Sequence, residues 1–151
     1  MAERPRAPRL SLPLRVVSEC AQLLESSLPR EACALLIGTR TDEEHRVEEL
    51  SPIANIAERD DAFQLDPVAW RLAEREASAA GLEVLGVWHS HPRTSAAPSS
   101  QDRAAAQEGW SHAISSGTSP GEIRSFHCEA GGLVEQRVRT RPQPQIGRAH
   151  V

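Results

Sequence analysis

The chain has 151 residues and a mass of 16.5 kDa, which is enough for one domain with a single hydrophobic core. Aromatic residues make up only 3% and the formal net charge is −4, which excludes a base-stacking nucleic-acid platform and a general electrostatic attraction to nucleic acid or membranes. No apolar run approaches the roughly 18 residues of a membrane span, and no signal-peptide pattern follows the N-terminus. We therefore expect a cytoplasmic protein with no nucleic-acid or membrane partner.

The two ends of the chain lack the apolar patterning of its middle. Residues 1–11 are rich in Pro and Arg and are predicted to be a disordered tail, and residues 12–140 are predicted to form one domain. Residues 141–151 are predicted to be disordered or artefactual, because 146–151 resemble the translation of a sequencing-library adapter. Function is therefore expected to reside within 12–140.

The first half of the domain is predicted to contain one helix and two strands. Apolar residues recur at helical spacing after Pro13, until Pro29 ends the pattern. Residues 32–38 are a continuous apolar run typical of a buried strand, and 47–53 predict a second strand. The segment 42–61 holds eight acidic residues against two Arg, which indicates either a solvated edge and loop or an acidic rim that attracts a basic partner.

The second half of the domain is predicted to alternate helices and strands. Asp66 is a good N-cap, Pro67 suits the first helical position and Gly81 suits a C-terminal stop, so a helix is predicted between them. The remaining elements are a strand at 82–89, a loop at 90–98, a helix at 99–109, and strands at 112–116, 122–128 and 133–139. Because strands and helices interleave, the predicted class is mixed α/β or α+β.

The cysteines and two of the histidines are predicted to have no part in a functional site. Cys20, Cys33 and Cys128 are odd in number, widely spaced and form no CxxC pair, which indicates buried reduced thiols. His112 and His127 have no ligand spacing to the other histidines, and we expect each to be a surface residue or a hydrogen-bonded core residue.

The informative stretch of the sequence contains a pair of histidines, His89 and His91, at the end of a predicted strand. Side chains two residues apart in a strand point to the same face, so both imidazoles can meet one metal ion, while Trp88 points into the core. Asp102 can return to this pair from the start of the next helix. Two His and one Asp are a typical zinc set that leaves a fourth position open for water, whose pKa zinc can lower to about 7.

Each part of this pattern also has a structural interpretation. Ser99-x-x-Asp102 is a capping box, so the start of a helix explains both residues without a metal. A lone His-x-His is often incidental, and Ser90 between the histidines is expected to be structural in its loop. The two interpretations of Asp102 are compatible, because one carboxylate can cap a helix and bind a metal.

The complete spacing resembles the signature of the JAMM (MPN+) zinc metallopeptidases. The segment 89–102 reads His-Ser-His, seven residues, Ser, two residues and Asp, which matches that signature without a gap. Upstream, 29–38 reads Pro-Arg-Glu-Ala-Cys-Ala-Leu-Leu-Ile-Gly and resembles the family's Pro-x-Glu-x-Cys-Gly-Leu-Leu-like segment, with Ala34 in place of glycine. The resemblance covers about residues 10–140.

This resemblance implies a role for each residue of the site. His89, His91 and Asp102 are expected to bind one Zn²⁺ per chain. Glu31 is expected to act as the general base that takes a proton from the zinc-bound water and delivers it to the leaving amine. Ser99 is expected to donate a hydrogen bond to the developing oxyanion.

The resemblance also implies a fold and a substrate. The expected fold is a curved mixed β-sheet flanked by helices, resembling cytidine deaminase. The chain is too short for the insertions that clamp ubiquitin in eukaryotic members, so it resembles the compact stand-alone bacterial branch of sulfur-carrier peptidases, which act on carrier–cysteine conjugates. The expected reaction is hydrolysis of the amide bond after the C-terminal Gly-Gly of a small ubiquitin-like or sulfur-carrier protein. The alternatives are a zinc hydrolase of small peptides or amides without a carrier partner, and a non-catalytic MPN scaffold.

Overall fold

The computed structural model describes residues 7–119 and 121–142. Within these residues the chain forms eight strands and three helices. In chain order they are β1 (Arg9–Pro13), α1 (Leu14–Ser27), β2 (Cys33–Arg40), β3 (Glu44–Ile53), α2 (Pro67–Ala79), β4 (Glu83–His91), α3 (Ser100–Ala105), β5 (Ser111–Ser116), β6 (Ile123–Glu129), β7 (Gly132–Gln136) and β8 (Val138–Arg141). No helix among the described residues is long and apolar enough to cross a membrane.

The eight strands form one mixed sheet in the order β7-β6-β5-β4-β2-β3-β1-β8. The strands at the two ends of this order, β7 and β8, are separated in the chain by Arg137 alone, so the sheet must curve until its ends meet. At this seam the Gln136 side chain donates a hydrogen bond to the Pro8 carbonyl at 2.6 Å, and the Leu10 N–H donates to the Arg137 carbonyl at 2.8 Å. The expected curved mixed sheet with flanking helices is therefore confirmed.

The two faces of the sheet pack against different helices. On one face α1 buries Cys20 in a core cluster that also contains the fully buried Trp88, as predicted. On the other face α2 buries Ala77 in a second cluster that contains Leu35 of β2. Because side chains alternate along a strand, β2 and β4 supply residues to both clusters, which explains why they read as continuous apolar runs.

The two long helices begin where the sequence predicts. The first follows Pro13, and the second begins at Pro67 with the Asp66 side chain accepting a hydrogen bond from the Val68 N–H at 3.0 Å. The third helix, predicted over 99–109, is shorter and ends at Ala105, as α3 covers six residues.

The predicted tails overlap the folded domain at both ends, so both predicted boundaries are wrong. Residues 9–11, assigned to the N-terminal tail, belong to β1, because this strand is hydrogen-bonded between β3 and β8 and buries Leu10. Arg141, assigned to the C-terminal tail, ends β8 and donates hydrogen bonds to the Ser11 carbonyl and hydroxyl at 3.0 and 2.7 Å. The rest of the predicted tails, 1–6 and 143–151 with the adapter-like segment, lies outside the described residues.

The last predicted strand, 133–139, is two strands in the structure. The chain leaves β7 at one end of the sheet, turns at Arg137 and enters β8 at the other end. The residue between the two strands is neither glycine nor proline, so the sequence gives no sign of the break.

Candidate metal centre

His89 and His91 lie at the end of β4, and both side chains are buried. The strand was predicted to end at His89, but it continues to His91 because the parallel β5 pairs with it over that length. Between the histidines, Ser90 accepts a hydrogen bond on its Oγ from the Ala32 N–H at 2.8 Å. Ser90 therefore has the structural role expected of it and ties β4 to the segment that precedes β2.

Glu31 reaches the same site from the segment before β2. Cys33 pairs with His89 in the antiparallel ladder of β2 and β4, so Glu31, two residues earlier, comes to the end of β4 that carries the histidines. The Glu31 N–H donates to the Asp60 carbonyl at 3.2 Å, and the Asn55 side-chain amide donates to the Glu31 carbonyl at 2.9 Å. These bonds hold the Glu31 backbone from the side of the loop that follows β3.

Asp102 joins the histidines from the first turn of α3. The capping box predicted from the sequence is present: Ser99 Oγ accepts a hydrogen bond from the Asp102 N–H at 3.0 Å, and Asp102 Oδ2 accepts one from the Ser99 N–H at 2.9 Å. The same Oδ2 lies 3.2 Å from His89 Nε2 and 3.1 Å from His91 Nε2. One carboxylate thus caps the helix and also faces both imidazoles, so a helix cap and a metal ligand can be the same residue.

Nitrogen and oxygen atoms from four residues converge at this point. The two Nε2 atoms of His89 and His91 are 3.1 Å apart. Ligand atoms of Glu31, His89 and His91 lie within 4.8 Å of one another, and all three residues are buried. Imidazole nitrogens with a carboxylate oxygen are the donor set that proteins use for a catalytic zinc.

The hydrogen bonds around the cluster test whether it suits a metal ion. His91 Nδ1 donates to the Ser95 carbonyl at 2.7 Å, which turns Nε2 toward the cluster, where it can bind a cation once it carries no proton. Glu31 Oε1 is buried and has no hydrogen-bond partner among the described residues. Such an atom is costly unless something in the site pairs with it, and a metal ion with its bound water meets that need. The residues present therefore fit zinc.

The two carboxylates of the cluster differ in their affinity for protons. Burial raises the pKa of Glu31 to about 7, although the neighbouring His91 opposes this shift. Burial also disfavours the charged form of Asp102, but hydrogen bonds from His89 and His91 outweigh it and hold the pKa of Asp102 well below its ordinary value. The site therefore contains one carboxylate that can exchange a proton near neutral pH and one that stays ionised.

Two residues that position the site carry no sequence signal for that role. Phe63 stacks on the imidazole of His89, with ring centroids 4.3 Å apart and an interplanar angle of 25°. Asn55 bonds through its side chain to four backbone groups, those of Glu31, Ala57, Ala62 and Gln64. Both residues lie between β3 and α2, where no periodicity indicates which side chains turn inward.

A polar cavity of about 330 Å³ opens on the Glu31 side of the cluster. Glu31, His91 and Ser99 contribute to its wall, together with Asp60 and Asp61 from the acidic segment 42–61. Asp60 is paired with Arg30 and Asp61 with Arg59, so the part of the acidic segment that reaches the site is not free negative charge.

His112, His127 and the cysteines are buried or hydrogen-bonded, as predicted. The buried His112 accepts a hydrogen bond on Nε2 from the Gln107 N–H at 3.2 Å, and His127 Nδ1 lies 2.7 Å from Glu129 Oε2. The three buried free thiols are those of Cys20, Cys33 and Cys128.

Comparison with known proteins agrees with this geometry. The sequence profile for prokaryotic homologs of the JAB domain matches residues 13–129. A protein of Desulfitobacterium hafniense with a known solution structure is 28% identical over 93% of this chain and 97% of its own, with a TM-score of 0.81. A protein of Salinibacter ruber is 25% identical over 89% of this chain and 92% of its own, with a TM-score of 0.64.

A third structure shares the fold alone. A JAB1/MPN domain protein of Archaeoglobus fulgidus is 23% identical over 87% of this chain and 95% of its own, with a TM-score of 0.50. No curated protein matches the chain. The resemblance inferred from the histidine, serine and aspartate spacing is thereby confirmed, since the profile match spans most of the sequence, and the chain belongs to the prokaryotic JAB domain family.

Proposed function

We propose that the protein is a zinc-dependent metallopeptidase or isopeptidase that hydrolyses the amide bond after the C-terminal Gly-Gly of a small ubiquitin-like or sulfur-carrier protein. The observation that carries this proposal is the arrangement of two carboxylates around one pair of imidazoles. Asp102 Oδ2 lies within hydrogen-bond distance of both Nε2 atoms, while Glu31 Oε1 is buried beside them without a partner among the described residues.

The roles of these residues follow from their surroundings. His89, His91 and Asp102 would hold the zinc ion, which when bound lowers the pKa of a water molecule and polarises the substrate carbonyl. Burial gives Glu31 a pKa of about 7, so this carboxylate can accept a proton and later release it to the leaving amine.

Ser99 has a free hydrogen for the oxyanion. Its Oγ accepts a hydrogen bond from the Asp102 N–H at 3.0 Å, so the hydroxyl hydrogen is not needed for capping. Ser99 also contributes to the wall of the polar cavity next to Glu31. A hydroxyl held there by the helix start can donate to the negative oxygen that develops during hydrolysis.

The compact connections of the fold support a small carrier as the substrate. Only residues 54–66 join β3 to α2, and only residues 117–122 join β5 to β6. Neither connection is long enough to form a separate clamp around a folded partner. A carrier whose extended Gly-Gly end enters the site does not need such a clamp, because glycine allows the substrate backbone to approach the site closely.

The alternatives named from the sequence differ in their requirements. A hydrolase of small peptides or amides uses the same residues and is distinguished only by its substrate. A non-catalytic scaffold has no use for the full set of ligands with a buried Glu31 beside them, so the arrangement favours an enzyme.

The test is cleavage of a sulfur carrier extended beyond its Gly-Gly end, with and without a zinc chelator, together with the zinc content of the protein. We expect release of the extension at one zinc per chain and its loss on chelation. A zinc-loaded protein that leaves the carrier intact but cleaves short peptides supports the small-substrate alternative. A protein that binds no zinc and cleaves neither substrate supports the scaffold.

A further inference from the structure

A second cavity opens beside the metal centre, on the side of His89 and Asp102, and its walls are aromatic. It has a volume of about 300 Å³, and Phe63, Trp70 and Trp110 line it. Trp70 and Trp110 meet edge to face, with ring centroids 5.2 Å apart, and Phe63 stacks on His89. The cavity therefore borders His89, a proposed zinc ligand, and three large aromatic rings form part of its wall.

Most of the wall of this second cavity is apolar, and its uncharged polar residues include Gln64, Gln107 and His112. Among the described residues that line it, Asp102 is the only carboxylate and there is no arginine. Asp102 is already engaged by two imidazoles and by the Ser99 N–H. The wall thus has no free charge for an ionic group, whereas aromatic rings favour burial of a large apolar side chain. The polar cavity beside Glu31 differs because its wall contains the charged residues Asp60, Asp61 and Arg93.

A Gly-Gly end cannot fill the aromatic cavity, because glycine has no side chain. A residue before Gly-Gly is separated from the scissile carbonyl by two residues, about 7 Å of extended chain. Because His89 and Asp102 themselves form part of the cavity wall, the side chain that can enter it belongs to the residue bonded directly to the second glycine.

We propose that the aromatic cavity binds the side chain of the residue that follows Gly-Gly, and that this residue is large and apolar. The inference rests on the proposed function and specifies its leaving group. Water adds its oxygen to the glycine carbonyl carbon, the C–N bond breaks, and the protonated amine of the apolar residue leaves as the carrier carboxylate forms. Released cysteine alone would leave most of this cavity empty.

The first test compares carriers extended after Gly-Gly by Phe, Leu, Ala or Asp, cleaved by the zinc-loaded protein. We expect kcat/KM for Phe and Leu to exceed that for Ala by about tenfold or more, with Asp the poorest. Ala105 is exposed and lines the cavity, so Ala105→Leu should fill it and lower the Phe-to-Ala ratio without disturbing the core. Trp110→Ala should lower the same ratio.

The matched control for these variants is Leu72→Ala. Leu72 is an exposed apolar residue on α2, the helix that carries Trp70, and it is not among the residues lining the cavity. This variant should keep the wild-type ratio of kcat/KM for the Phe extension to that for the Ala extension. Chelator-sensitive cleavage at equal rates for all four extensions overturns the inference and leaves the proposed function intact. A preference that follows the residue before Gly-Gly also overturns it, and absence of cleavage of every extension overturns both.

Binding provides a second measurement that does not depend on turnover. The chain has three tryptophans and no tyrosine, and two of the tryptophans line this cavity while Trp88 is fully buried elsewhere. Titration with L-phenylalaninamide should therefore change the tryptophan emission saturably. L-alaninamide should give no saturable change with the wild-type protein, and neither probe should give one with Ala105→Leu. A flat titration of the wild-type protein with L-phenylalaninamide contradicts the inference.

Discussion

Glu31 and Asp102 are both carboxylates beside the same imidazoles, but their surroundings give them different chemistry. Asp102 is fixed by the Ser99 N–H and faces both Nε2 atoms, so it is held as an anion. Glu31 has a buried oxygen without a partner among the described residues and a pKa of about 7. In the proposed function, this contrast makes Asp102 a metal ligand and Glu31 the group that moves a proton.

The first residue-scale prediction concerns Glu31→Gln. The amide keeps the size of the side chain but cannot accept a proton, so zinc should remain at the wild-type content while kcat falls by about 10²–10⁴-fold. Metal analysis of the purified variant, followed by the carrier-cleavage assay, measures both quantities. Loss of zinc would instead make Glu31 a ligand, and full activity would remove its role as general base.

The second residue-scale prediction concerns Asp102→Asn. An amide oxygen can still accept the capping hydrogen bond from the Ser99 N–H, but it lacks the charge that a zinc ligand supplies. Zinc affinity should therefore fall by more than about 100-fold, above the range for residues that only support a ligand. Ser99→Ala is the matched comparison: it should cost about 1 kcal/mol through loss of the cap and keep zinc. Unchanged zinc in Asp102→Asn would leave Asp102 as a helix cap only.

The residues of the site differ in how much the sequence says about them. His89 and His91 can be predicted from spacing, because a strand places alternate side chains on one face. Asp102 can be predicted as the last residue of a capping box, although that pattern alone does not predict a metal ligand. Glu31 is one of 21 acidic residues and stands out only through its resemblance to a family motif. Phe63 and the Ser95 carbonyl cannot be predicted, since their roles depend on how two irregular segments fold.

At the scale of elements, β4 and β5 leave no room for a side chain at Gly86. A Cβ atom at Gly86 would lie 1.9 Å from the Ser111 carbonyl oxygen, so the two strands must separate to admit one. Gly86→Ala should lower the free energy of unfolding by about 1–3 kcal/mol through overpacking. Thermal unfolding measures this, with Gly132→Ala as control because a Cβ there meets nothing within 4 Å. Equal melting temperatures for the two variants would contradict the prediction.

The elements that the sequence predicts well are those with a strong local pattern. The helix after Asp66 has both a cap and a proline at its start, and β2 is a continuous apolar run. The sequence does not predict β1, and it merges β8 with β7 into one strand. Both errors arise because β1 and β8 are short and are stabilised by partners far away in the chain. Leu10 and Leu12 become core residues only when β3 and β8 lie on either side of them.

At the scale of the whole molecule, we expect the free energy of unfolding to fall at acidic pH, because the unfolded chain binds a proton at His45 more readily than the folded protein does. This side chain is buried, its Nδ1 lies 2.7 Å from Ser111 Oγ, and burial lowers its pKa to about 4, with Arg40 and His127 adding to the effect. The unfolded chain binds a proton near the ordinary pKa of about 6.5. The contribution of neutral His45 is therefore present above pH 6.5 and is lost as the pH falls through the range down to about 4.

The corresponding measurement compares the wild-type protein with His45→Asn, whose amide can still pair with Ser111. Between pH 6.5 and 4 the wild-type protein should lose up to about 3 kcal/mol more stability than the variant, as measured by urea unfolding at each pH. Above pH 6.5 the difference between the two proteins should stay constant. Parallel acid profiles would show that His45 does not titrate during unfolding.

The seam of the sheet has a consequence for synthesis on the ribosome. Of the strands that the structure describes, β1 is made first, yet one of its two neighbours is β8, which ends at Arg141. The edge of β1 that faces β8 therefore stays unpaired in the nascent chain until β8 has left the exit tunnel. The sheet can be completed only after β8 has been translated, and until then this edge of β1 is open to chaperones and to misassembly.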